Sequence, residues 1–144
     1  MIGIDANILI YAHRTESPFY DRASACLREL AEGRSAWAIP WPCLHEFYGI
    51  VTHPKRYLPP STPAQAIYQI KLWMGSKPLT LIGETQTHWS VLQPMLNASD
   101  VKGALVHDAR IAAICLQNGV REFWTADRDF SRFPSLKCHN PLVV

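Results

Sequence analysis

Five of the twelve acidic residues in this chain lie in apolar surroundings, where a charged side chain is costly. They are Asp5, Glu46, Asp108, Asp127 and Asp129. The apolar segments that carry them are 1–10, 43–48, 104–113 and 123–130. A buried carboxylate has to be protonated, paired with a cationic side chain or bound to a metal ion. These five acids are therefore the first candidates for chemistry.

Each acid taken alone also has a purely structural explanation. Asp5 could cap the turn after the first strand, and Asp127 could cap a helix or form an Asx-turn. Asp108 could pair with Arg110, and Glu46 could be an exposed acid that the helix dipole favours in a first turn. The case for a functional site depends on all of these acids meeting in one place.

The order of predicted elements indicates how they would meet. Strands are predicted at Met1–Ile4, Ala36–Ile39, Leu79–Ile82 and Glu122–Thr125, with a weak extended tail at Leu136–His139. Helices are predicted from Ser17-Pro18 to Gly33, over Pro42–Val51, from Thr62-Pro63 onward, over Thr87–Leu96 and over Ala104–Gln117. Pro94 is expected to limit the fourth of these helices. This alternation predicts an α/β fold with a mostly parallel sheet, helices on both faces and one domain over residues 1–144.

In such a fold the carboxyl ends of the strands share one edge of the sheet, where ligands bind. Asp5 and Asp127 follow predicted strands, while Glu46 and Asp108 fall near the first turn of predicted helices. Four or five converging carboxylates repel one another, and a hard divalent cation relieves that repulsion. Mg²⁺ and Mn²⁺ prefer oxygen ligands, and no cysteine lies at the ligand spacing of a zinc site. Carboxylates with Mg²⁺ are typical of phosphodiester hydrolysis.

Composition excludes several other classes. The chain has 144 residues, of which 48% are hydrophobic, and its net charge is +2, so we expect neither disorder nor a broad basic surface. No apolar run reaches the roughly 20 residues of a membrane span, and no basic segment opens a signal peptide. We expect the four cysteines, Cys26, Cys43, Cys115 and Cys138, to be free thiols of a cytoplasmic protein.

The residues resemble a known family at four places in order. These are the segment Ile4–Ala12, Glu46, the segment His107–Ala113 and the segment Thr125–Phe130. Together they resemble the PIN-domain ribonucleases, and specifically the VapC-type toxins of type II toxin–antitoxin pairs. The resemblance implies a PIN-like three-layer α/β/α fold around a mostly parallel sheet of four to five strands.

The resemblance also implies roles for the acids. Asp5, Glu46, Asp108 and Asp127 would be catalytic. Asp5, Asp108 and Asp127 would hold Mg²⁺, for which Mn²⁺ could substitute, with Asp129 as a further ligand that can lie outside the first shell. Glu46 would hold a water on the metal or a second ion. The family's activity is endoribonucleolytic cleavage that leaves a 5′-phosphate and a 3′-hydroxyl.

Supporting residues and partners follow from the same resemblance. Asn7 and Thr125 would orient the acids, with local turn hydrogen bonding as the alternative. The implied partners are an RNA substrate, a cognate antitoxin and a second copy in a homodimer, with no membrane. Basic residues near the motifs are candidates for phosphate contacts, foremost Arg110 and Arg128, and otherwise Lys55, Arg56, Lys102 and Arg132.

Aromatic residues offer a further kind of RNA contact. The tryptophans could stack on unpaired bases, but most fall on apolar faces, which favours core packing. These residues are Trp37, Trp41, Trp73, Trp89 and Trp124.

Three other functions compete with the nuclease. A phosphoacceptor receiver domain would carry a lysine at the end of a late strand, where this chain has Thr125-Ala126-Asp127. A phosphatase with an early D-x-D nucleophile would need a second acid where Asn7 stands. A non-catalytic PIN-like module that binds RNA or protein remains the strongest alternative.

Overall fold

A parallel sheet lies at the centre of the protein in the computed structural model, which describes residues 1–143. The strands in that range are β1 (Ile2–Ile4), β2 (Trp37–Pro40), β3 (Leu79–Ile82), β4 (Glu122–Trp124) and β5 (Cys138–His139). They lie in the order β3-β2-β1-β4-β5, and each neighbouring pair is parallel. The predicted mostly parallel sheet of four to five strands is therefore confirmed.

Helices flank this sheet and complete the predicted α/β/α architecture. Those in residues 1–143 are α1 (Ala6–His13), α2 (Tyr20–Glu32), α3 (Trp41–Val51), α4 (Pro63–Met74), α5 (His88–Ala98) and α6 (Val106–Gln117). α1 packs on α2 and α3, α3 packs on α4, and α5 packs on α6. No helix in this part of the chain combines the length and apolarity needed to cross a bilayer.

Helix α1 was not anticipated from the sequence. Its residues Ile8, Leu9 and Ile10 are all buried, so the sequence shows a continuous apolar run instead of apolar residues spaced at helical intervals. Periodicity alone does not separate a short buried helix from a buried strand. The informative residue is Asp5, because its carboxylate accepts a hydrogen bond from the Ala6 amide and caps the helix.

Several helix boundaries differ from the prediction, and two of these differences concern a proline. Helix α2 begins at Tyr20 rather than at Ser17-Pro18, because the Ser17 hydroxyl instead accepts from the Phe19 amide in a turn before the helix. Helix α5 continues past Pro94 to Ala98, so the proline lies inside the helix and does not end it.

The order of strands places the ends of β1, β2 and β4 side by side. β1 is central, with Ile4 paired to Trp124 of β4 and Gly3 paired to Ala38 of β2. The chain leaves these strands at positions 5, 41 and 125, which therefore lie along one edge of the sheet. This edge is where the sequence analysis expects the acids to meet.

Helix α4, which supports α3, begins with a capping box. The Thr62 hydroxyl accepts from the Gln65 amide, and the Gln65 side chain accepts from the Thr62 amide. We expect Thr62→Ala to lower the free energy of unfolding by about 1 kcal/mol, measured by urea denaturation. Thr87→Ala is the matched control, because Thr87 precedes α5 without capping it. Equal losses in the two variants would contradict a stabilising role for the cap.

Candidate active site

Asp5 is the buried centre of the acidic region, with 4% of its surface exposed. Its Oδ1 accepts from the Ala6 amide at 2.8 Å and lies 3.5 Å from the Cys43 thiol. Its Oδ2 accepts from the Thr125 hydroxyl at 2.7 Å and from the Asn7 amide group at 3.2 Å. Both carboxylate oxygens are therefore fixed by the protein itself.

Asn7 and Thr125 connect Asp5 to the segment after β4. The Asn7 side chain donates to the Thr125 hydroxyl at 3.2 Å and accepts from the Ala126 amide at 3.1 Å. The Thr125 hydroxyl accepts in turn from the Asp127 amide at 3.0 Å. These bonds span 118 to 120 residues of chain as well as local turns, so the two side chains join the ends of β1 and β4.

Three further acids form a compact group above this network. Single carboxylate oxygens of Asp108, Asp127 and Asp129 all lie within 4.8 Å of one another. Asp108 comes from the first turn of α6, and Asp127 caps a short 3₁₀ helix by accepting from the Asp129 amide at 2.9 Å. The Asx-turn suggested for Asp127 is thus present, and it holds two carboxylates at the same spot.

The acids influence one another electrostatically. The pKa of Asp108 is raised to about 6, chiefly by partial burial and then by the charges of Asp127, Asp5 and Asp129 in that order. Burial likewise raises the pKa of Glu46, with additional repulsion from Asp5, Asp108 and Asp127. Burial is also the main reason that the pKa of Asp5 is raised. All five acids singled out in the sequence therefore lie in one region.

Glu46 faces this region from α3 across a cleft of about 300 Å³. The cleft is lined by Pro42, His45, Glu46, His107, Asp108, Arg110 and Ile111. It brings the first half of α3 opposite the first half of α6.

The donor set fits a hard divalent cation. Carboxylate oxygens are the ligands that Mg²⁺ and Mn²⁺ prefer, and Asp108, Asp127 and Asp129 offer three of them in one place. Asp5 is not a member of that compact group, because its oxygens are turned into the hydrogen-bond network below it. Asp129, which the family resemblance implies only as a further ligand, does belong to the compact group.

The cationic candidates are placed differently from one another. Arg110 lines the cleft and forms an ion pair with Glu84. Arg56 lies near enough to Glu46 that its charge opposes, without cancelling, the rise in the pKa of Glu46. Lys102 pairs with Asp100 on the surface at 3.4 Å, and Arg128 is exposed directly after Asp127.

Two residues near the acids escaped the sequence analysis. His45 lines the cleft beside Glu46, just as His107 lines it beside Asp108. The repeated His-acid pair was the available signal, since both pairs lie at the start of a helix. Cys43 contacts Asp5, but nothing distinguishes it in the sequence from a buried apolar residue.

This combination of a parallel α/β/α fold and a carboxylate cluster at the strand ends is that of the PIN-domain family. The family model described as "PIN domain" matches residues 2–136, and the chain belongs to this family.

Particular relatives and structures are similar over nearly the whole chain. "Ribonuclease VapC48" of Mycobacterium tuberculosis is 27% identical over 137 residues, covering 95% of this chain and 94% of the relative. VapBC2 from Rickettsia felis, solved bound to a DNA fragment from its promoter, has a TM-score of 0.66 at 22% identity, covering 97% and 98%. M. tuberculosis VapC20, described as a sarcin-ricin loop cleaving toxin, has a TM-score of 0.66 at 15% identity, covering 91% and 93%.

The raised pKa of Asp108, caused by burial and by the neighbouring acids, yields a stability prediction for protein in EDTA. The folded-state pKa of about 6 lies above the ordinary value of 3.8, so folding favours the protonated acid. This contribution to stability is full below pH 3.8 and is lost as the pH rises through about 6. We therefore expect Asp108→Asn to raise the melting temperature relative to wild type at pH 7.5, and the difference to shrink toward pH 4.

The matched control for this measurement is Asp100→Asn, because the Asp100 carboxylate is exposed and lies outside the group of acids. Asp5→Asn is a different case, since it disturbs a capping bond and the bond to Thr125. A melting temperature of Asp108→Asn that is unchanged or lower at pH 7.5 would contradict a raised pKa of Asp108 in the folded protein.

Proposed function

We propose that the protein is a Mg²⁺-dependent endoribonuclease that hydrolyses RNA phosphodiester bonds, and that it is the VapC-type toxin of a toxin–antitoxin pair. The observation that carries the proposal is the convergence of Asp108, Asp127 and Asp129 within 4.8 Å, at the edge that also holds Asp5 and Glu46. Membership of the PIN-domain family and relatives named as ribonucleases support it.

The proposed metal ligands are Asp108, Asp127 and Asp129, with Asp5 as the further acid below them. When bound, Mg²⁺ or Mn²⁺ would supply charge neutralisation of the phosphate and acidify a water molecule. The carboxylates alone would repel an RNA phosphate, so the site should be inactive without the cation.

The chain's own residues would position the reactants. Asp5 is buried and fixed by four donors, so its carboxyl group is held in one position. Asn7 and Thr125 hold Asp127 relative to Asp5 through the bonds to the backbone at 126 and 127. Positional precision of this kind is what a displacement at phosphorus requires of the surrounding protein.

Glu46 is suited to accept a proton from the attacking water. It projects into the cleft from the side opposite Asp108, and its raised pKa favours acceptance of a proton. Arg56, near Glu46, and Arg128, beside Asp127, are proposed to contact phosphates that flank the scissile bond. Arg110 would do so only in exchange for its pairing with Glu84.

The proposed partners follow from the same family resemblance. A cognate antitoxin would neutralise the toxin by covering the acidic pocket, and a second copy would complete a homodimer in the cytoplasm. Two similar structures belong to VapBC2 and to a protein described as a toxin, which supports this proposal.

A cleavage assay tests the nuclease. Purified wild-type protein is incubated with single-stranded RNA and Mg²⁺, and fragments are resolved on a denaturing gel. We expect EDTA to abolish cleavage, and Asp5→Asn and Asp108→Asn each to lower its rate by at least about 100-fold, since both remove a charge from the site. Asp100→Asn, an isosteric change at an exposed aspartate, should cleave like wild type.

Two outcomes would count against this proposal. Cleavage that survives both EDTA and Asp108→Asn would reveal a contaminant or a different chemistry. RNA binding without cleavage by wild-type protein in Mg²⁺ and in Mn²⁺ would favour the non-catalytic module.

The toxin proposal has a separate test in cells. Expression from an inducible promoter in a bacterial host that lacks the antitoxin should arrest growth, and Asp108→Asn expressed to the same level should not. The readout is colony number after induction, with Asp100→Asn as the active control. Equal growth with wild-type and Asp108→Asn protein would remove the toxin function while leaving a nuclease in place.

A further inference from the structure

Within residues 1–143, Trp41 is one of two tryptophans with an exposed ring, the other being Trp89 on α5. Trp37 and Trp73 are 0% and 7% exposed, and the Trp124 indole donates to Glu122. Trp41 is 40% exposed although it is the first residue of α3 and directly follows the buried strand β2. Core packing therefore does not account for this ring.

The surroundings of Trp41 leave one part of the ring open. On one side it packs against Gly83, where an added Cβ would lie 3.5 Å from the Trp41 Cδ1. The His45 ring, one helical turn further along α3, lies 6.1 Å from it between centroids at an interplanar angle of 38°. Trp41 and His45 thus form a small aromatic surface, which we call the aromatic platform.

The aromatic platform adjoins the acidic cleft. Pro42, the residue after Trp41, and His45 itself both line the cleft that contains Glu46 and Asp108. Through His45 and Pro42, the aromatic platform therefore borders the cleft in which a phosphate at Asp108 would lie.

The balance of charges at this edge favours base stacking as a source of affinity for RNA. The acids at this edge outnumber the cations near them, and Arg110 is already paired with Glu84. An RNA strand that approaches this edge is therefore attracted by the bound metal ion but gains little from charged side chains. Stacking of a base on an aromatic ring is independent of charge and supplies affinity in that situation.

We propose that Trp41 and His45 form a stacking subsite for an unpaired nucleobase next to the scissile phosphate. The proposal rests on the nuclease function and deepens it, because it names the residues that would hold a base beside the cleavage site. A base inside a duplex is already stacked on its neighbours and is not available to the ring. Since every base has a π-face, the subsite selects unpaired over paired RNA rather than one sequence.

The test measures stacking separately from cleavage. The probe is a 12-nucleotide single-stranded RNA with one 2-aminopurine, moved along the strand, whose fluorescence falls when it stacks on an aromatic ring. It is titrated with Asp108→Asn protein in Mg²⁺, so that the RNA stays intact. We expect quenching at one position, and Trp41→Ala in this background should abolish it and weaken binding roughly 10-fold.

Matched variants make the result specific. Trp41→Phe should retain most of the quenching, which also controls for the fold of α3. Tyr68→Ala removes another exposed aromatic side chain, on α4 at a different cavity, and should bind like the parent protein. The same RNA annealed to its complement should bind equally to the parent and to Trp41→Ala.

The outcomes separate this proposal from the nuclease function. Cleavage by wild-type protein without quenching at any position would overturn the aromatic platform and leave the nuclease intact. Quenching that depends on Trp41 without cleavage by wild type would support the aromatic platform and remove the nuclease. If Trp41→Ala binds RNA normally but elutes as a smaller species, the ring contacts a second copy of the chain and the proposal is wrong.

Discussion

The hydrogen bond between the Thr125 hydroxyl and the buried Asp5 carboxylate is the constraint on which the acidic region depends. It joins the ends of β1 and β4, two neighbouring parallel strands whose residues lie 120 positions apart in the chain. The same hydroxyl oxygen accepts a hydrogen bond from the Asp127 amide, so this one atom connects Asp5 with the segment that carries Asp127. Burial makes the bond stronger than it would be in water, and makes an unpaired Asp5 correspondingly costly.

Around this rigid centre the protein tolerates repulsion. The raised pKa values of Asp108 and Glu46 mean that folding buries these carboxyl groups and brings negative charges together, at a cost in free energy that the core of the fold offsets. Such stored strain is typical of functional sites, where binding of a ligand relieves it. The apolar packing of α1, α3 and α6 against the sheet supplies the opposing stability.

The sheet and the meeting of the acids could be predicted from the sequence because both follow from the order of elements. Asp5 and Asp127 come after strands, and parallel strands end at one edge. Helix α1 could not, because Ile8, Leu9 and Ile10 are buried together and leave no polar face to reveal the period. The compact group contains Asp108, Asp127 and Asp129 but not Asp5. The oxygens of Asp5 are instead held by long-range contacts, such as those with Cys43 and Thr125, that no local pattern encodes. The pairing of Arg110 with Glu84, 26 residues away, was hidden for the same reason.

The distribution of the acids along the chain also bears on how the protein is made. Asp5 precedes Thr125 by 120 residues, so Thr125 and Asp127 emerge from the ribosome only after β1, β2, β3 and α6 have been synthesised. Because β1 occupies the middle of the sheet, one of its two edges stays vacant until β4 arrives beside it. A growing chain therefore has an incomplete set of carboxylates, and the acidic region is not assembled until β4 and the residues that follow it have been synthesised.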